Sequence, residues 1–113
     1  MTADQAPAAT DPRPFTPFTT FIKSPRAGRC GVAVAADGTV TVTRADGASV
    51  HAGTLYRRTV AVRGMPRAGV EAVAPNGHWL LRGGRTAPAV AARELAHLAV
   101  SHPLYTADFN PPA

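Results

Sequence analysis

Arginine is the residue type with the most chemistry to offer in this chain. Arg57, Arg63, Arg67, Arg82 and Arg85 lie close together in a sequence of 113 residues. A guanidinium is always charged, and its planar fork of donors matches the oxygens of a phosphate. Residues 23–85 carry Lys23, Arg26, Arg29, Arg44, Arg57, Arg58, Arg63, Arg67, Arg82 and Arg85 against Asp37, Asp46 and Glu71, a local charge of +7 within a formal total of +5. A basic middle with slightly acidic flanks points to a polyanionic partner, and nucleic acid is the leading candidate. The five arginines named first are the candidate phosphate contacts. Eleven of the twelve basic residues are arginine, and alanine, glycine and proline are abundant, as GC-rich coding also produces. Charge alone therefore fixes no ligand.

No other group of residues makes a reaction centre. Asp37 and Asp46 each precede a glycine, a setting in which aspartate bonds its own backbone in a turn. His51, His78, His97 and His102 are dispersed, and the last two miss the three- or four-residue spacing that aligns ligands on a helix. Cys30 is the single cysteine. It has no evident base and reads as a small buried hydrophobe beside Arg29. The glycines do not form a phosphate-cradling loop. The sequence predicts a non-enzymatic protein with no metal, cofactor or small-molecule substrate.

A second docking feature precedes the basic stretch. Residues 1–20 are polar and alanine-rich with Pro7, Pro12, Pro14 and Pro17, and the sequence predicts an extended or disordered arm over 1–22. Phe15, Phe18 and Phe21 recur every third residue, the period of a polyproline II helix, so in that conformation they share one edge. They are candidate interaction residues, strapped onto the domain's own core or docked into another subunit. The alternative function follows from them: an assembly protein, such as a phage virion or multimeric scaffold component.

The elements that must position these residues are mostly strands. Ala36-Asp37-Gly38 and Ala45-Asp46-Gly47 separate short runs in which valine alternates with small or polar residues. Read as three-residue loops, they place Val34 opposite Val40, Val32 opposite Val42, and Val42 opposite Val50, gathering the valines on one face. Such a loop is a type I turn closed by a left-handed glycine. Residues 54–62 read as a fourth strand with Tyr56, Val60 and Val62 facing the core. Residues 63–69 read as a loop. Asn76-Gly77, as a two-residue turn, sets Val73 opposite Leu80 and Glu71 opposite Arg82. A helix is expected over about 87–101, with Thr86 as its cap and Ala91, Ala92, Leu95, Leu98, Ala99 and His102 on its apolar stripe.

The expected fold is mainly β with one C-terminal helix, a meander plus a hairpin in a small sandwich or partly open barrel. The domain spans 23–102 and an extended tail follows over 103–113. No run of about 20 apolar residues spans a bilayer, and the N-terminus lacks the pattern of a signal peptide, so no membrane partner is expected. The expected location is the cytoplasm or a virion.

Overall fold

The computed structural model describes residues 14–102. Six strands, β1 (Phe18–Ser24), β2 (Gly28–Val34), β3 (Thr39–Thr43), β4 (Ser49–Val62), β5 (Met65–Val73) and β6 (Trp79–Gly83), precede one helix, α1 (Ala87–Ser101). The strands pair antiparallel in chain order and curl into a half-barrel packed by α1. Residues 1–13 of the expected arm over 1–22, and the expected tail 103–113, lie outside the described residues.

Both Ala-Asp-Gly tripeptides form the bulged three-residue turn. At the first, the Gly38 N–H donates to Ala35 O and the Ala35 N–H donates to Thr39 O, each at 2.9 Å. The second repeats this between Arg44, Gly47 and Ala48. Gly38 and Gly47 sit at φ +96° and +89°, where a Cβ would clash with the backbone. Each aspartate locks its turn by accepting a 2.9 Å hydrogen bond from the N–H two residues on, Thr39 and Ala48. The register follows: Val34 pairs with Val40, Val32 with Val42, and Val42 with Val50. All five valines are buried beneath α1.

A third copy of the same turn corrects the expected β5–β6 register. In Ala74-Pro75-Asn76-Gly77-His78, Gly77 N–H donates to Ala74 O, Ala74 N–H to His78 O, and His78 N–H to the Asn76 side chain. The loop is therefore three residues long, with Pro75 supplying the φ that the first turn position requires. Val73 pairs with Trp79, not Leu80, and Glu71 pairs with Leu81, not Arg82. A one-residue slip reverses every side chain. Leu80 packs against the core, while Trp79 and Leu81 face outward.

Two further expectations change. Residues 49–62 are one strand, because Ala52 bulges where Val40 pairs with Gly53 and Thr41 with His51. Gly53, at φ +151°, lets the strand bend and leave β3 for β5; a Cβ there would sit 2.5 Å from Val73 O and 2.8 Å from Leu95 Cδ1. The bulge puts Leu55 inward and Tyr56 outward, reversing the expected faces of β4. The expected loop at 63–69 shrinks to Arg63-Gly64, both at positive φ (+52° and +78°), and residues 65–69 pair with β4 instead. That backbone is the mirror-image turn whose twist suits a tight hairpin.

The helix matches its expected span. Ala87, Ala91, Ala92, Leu95, Ala96, Ala99 and Val100 are buried, and the small side chains let the helix axis approach the sheet closely. Thr86 stands at the N-cap position, but its hydroxyl caps nothing. Its ψ of 3° departs from the extended conformation that aims a cap oxygen at the first free N–H groups.

Candidate functional site

Three of the five candidate arginines line one corner of the molecule. Arg57 projects from β4, Arg67 from β5, and Arg85 from the link between β6 and α1. All three line a cavity of about 500 Å³ together with Ala68, Gly84 and Pro88. Arg57 and Arg85 also line an adjoining cavity of about 370 Å³ with Phe15, Phe18 and Thr86.

The local chain explains the convergence. Strand β6 stops at Gly83, opposite Gly69, so Arg67 lies on a stretch of β5 with no strand beyond it. The Gly84 N–H then donates to Ala68 O at 2.8 Å and turns the chain toward α1, carrying Arg85 to the same edge. Arg57 is held in place: its Nε donates to Pro14 O at 3.0 Å, and its guanidinium lies 4.4 Å from the centre of the Phe15 ring. A cation over an aromatic face is attracted to the ring's negative quadrupole. No carboxylate lines either cavity. The first turn of α1 carries no acidic residue, so the positive end of its dipole adds to the charge there.

The other two candidates stand elsewhere. Arg82 is committed to Glu94 through two hydrogen bonds of 2.7 Å, which tie β6 to α1 and raise its pKa further above the ordinary arginine value. Arg63 sits in the β4–β5 turn and lines neither cavity.

The phenylalanines do not share an edge. Phe15 is buried in the chain's own core at 4% exposure, with its N–H donating to Ala36 O. Phe18 is half-buried against that core. From Phe18 the chain is strand β1, not polyproline II, and a strand's period of two sends Phe18 and Phe21 to opposite faces. Phe21 is exposed, with Arg29 stacked 4.1 Å from its ring centre.

A feature missed in the sequence lies on the sheet face opposite α1. Tyr56, Val62, Met65, Trp79 and Leu81 are all exposed there. Tyr56 and Leu81 flank Glu71, and Trp79 lies beside Val73. Arg58 pairs with Glu71 at 3.0 Å and leans toward the Tyr56 ring. The available signal was the likeness of Ala74–His78 to the two earlier turns.

Two of the remaining carboxylates serve the turns. The backbone N–H bonds hold the Asp37 and Asp46 carboxyls below the ordinary aspartate value. Burial pushes the Cys30 thiol up, only partly offset by Arg44. Among the described residues, no three His, Cys, Asp or Glu side chains gather to hold a metal ion. No helix among them is long and apolar enough to cross a membrane. No protein-family model, curated protein or solved structure matches the chain.

Proposed function

We propose that this protein is a non-enzymatic nucleic-acid-binding module that holds backbone phosphates at the corner formed by Arg57, Arg67 and Arg85. The observation that carries the reading is the meeting of three guanidinium groups around two adjoining cavities with no carboxylate in their lining. Charge elsewhere favours the same partner. Asp46, Glu71 and Glu94 are each paired with an arginine of the chain, at 3.2, 3.0 and 2.7 Å, while Arg67 and Arg85 enter no ion pair with a described residue. Asp37 is the one described carboxylate outside an ion pair, so the unpaired charge is mostly cationic, and Arg57, Arg67 and Arg85 carry part of it where a phosphate has room to enter.

Replacing Arg57, Arg67 or Arg85 by alanine should weaken binding about equally for all base sequences, since phosphate contacts carry no sequence information. Each substitution should also lower the magnitude of the log–log salt slope by about 0.7–0.9, the share of one phosphate contact. Titration of DNA and RNA oligonucleotides at several salt concentrations reads this directly. Absence of any salt-dependent affinity overturns the proposal. The competing reading, assembly through the N-terminal phenylalanines, draws less support because Phe15 is already buried in its own chain.

A further inference from the structure

Resting on that reading, we infer that the nucleic acid is single-stranded and that its unpaired bases stack on Tyr56 and Trp79 across the open face of the sheet. Monomeric proteins rarely expose a contiguous apolar patch without a partner for it. Here Trp79 is 58% and Tyr56 44% exposed, on a face that α1 does not cover. The two rings lie two strands apart and two residues out of line, which places them ~12 Å from each other on a regular sheet. Val73 and Leu81 fill the floor around them.

The occupant is chosen by charge. The one carboxylate on this part of the face, Glu71, is already neutralised by Arg58. Arg67 faces Val60 in the register of this same face and also lines the phosphate cavity. Arg67 thus stands where the open face meets the corner, so one polyanionic strand can lay its bases on the rings, pass over Arg67 and carry its backbone round the sheet edge to Arg57 and Arg85 on the α1 side. Every base has a π-face, so such a platform accepts any sequence, but only where pairing does not hide the bases. A duplex offers phosphates alone.

Trp79 is the single tryptophan, which makes its fluorescence a direct reporter. The experiment titrates the full chain with a thymidine oligonucleotide and, separately, with a duplex of equal length. The expected result is quenching of Trp79 by the single strand and tighter binding of it than of the duplex. Tyr56→Ala and Trp79→Ala should each weaken the single strand by about fivefold or more while leaving the salt slope unchanged. Trp79→Phe should retain most of the affinity. Both positions are exposed, and an unchanged melting temperature establishes that the variants fold.

Equal affinity for the two forms without quenching overturns this inference and leaves the phosphate corner standing. Loss of all salt-dependent binding, by contrast, removes the function itself. If Trp79→Ala changes the mass of the protein in solution without changing oligonucleotide affinity, the face serves protein contact and the inference fails.

Discussion

The Arg82 guanidinium grips both oxygens of the Glu94 carboxylate at 2.7 Å, joining the last strand to the helix. An arginine that looked suited to phosphate is thereby a structural tie. An exposed bidentate pair contributes up to about 1 kcal/mol. Arg82→Ala should lower stability by that amount in urea titration while the salt slope of nucleic-acid binding stays as it was. A slope reduced as far as by Arg67→Ala would return Arg82 to the interface.

Arg63 makes the complementary comparison. It lies in the tight β4–β5 turn and lines neither cavity. Arg63→Ala should leave the salt slope unchanged, whereas Arg85→Ala should reduce it by about 0.7–0.9. Equal slopes for the two variants would show that charge acts diffusely.

The aspartates of the turns set part of the acid response. Their folded-state pKa values are lowered, chiefly by the Thr39 and Ala48 N–H groups. The stability they contribute is complete above the ordinary aspartate pKa and is lost as pH falls through the lowered folded values. Asn76 already performs the same role in the third turn. Asp37→Asn with Asp46→Asn should therefore keep the fold and flatten this limb of the pH–stability curve, while alanine at either site should destabilise at every pH. Thermal melts between acid and neutral pH distinguish the two.

Cys30 is fully buried, and burial raises its thiol pKa. It should stay protonated at neutral pH and react with a disulfide reagent only as the chain unfolds. Reaction in native buffer should be far slower than in denaturant. Fast native labelling would contradict the placement of Cys30 in the core.

The crowding at Gly53 is testable through stability alone. A methyl group there meets Val73 O and Leu95 Cδ1, at a φ that disfavours any side chain. Gly53→Ala should cost about 1–3 kcal/mol from strain. Leu95→Ala should cost about 2–5 kcal/mol through lost burial and the cavity left behind. Urea midpoints measure both, and a neutral Gly53→Ala would mean that β4 bends without this contact.

Legibility in the sequence followed how local each determinant was. The two Ala-Asp-Gly turns and the valine register were readable because turn type and hydrophobic alternation demand the same pairing. The helix was readable from its own period. The face of Tyr56 depended on a bulge at Ala52, close to where β4 passes from pairing with the start of β3 to pairing with the end of β5. The face of Trp79 depended on whether Pro75 belonged to the turn. Both errors were of a single residue, and in a strand that is enough to confuse core with surface. For the arginines the chain showed the charge but not the geometry. Arg82 had a choice of carboxylates, and only the packing of α1 selects Glu94.

Strand order has a kinetic consequence. Every strand pairs with its neighbour in the chain, so the sheet can zip up one hairpin at a time with little loop closure at each step. The helix is different. It reaches from Arg82 on the last strand to Thr20 on the first, where Arg93 meets a hydroxyl 73 residues away. Docking of α1 is the step that joins the two ends of the zipper, and it is where non-local ordering entropy should concentrate along the folding path.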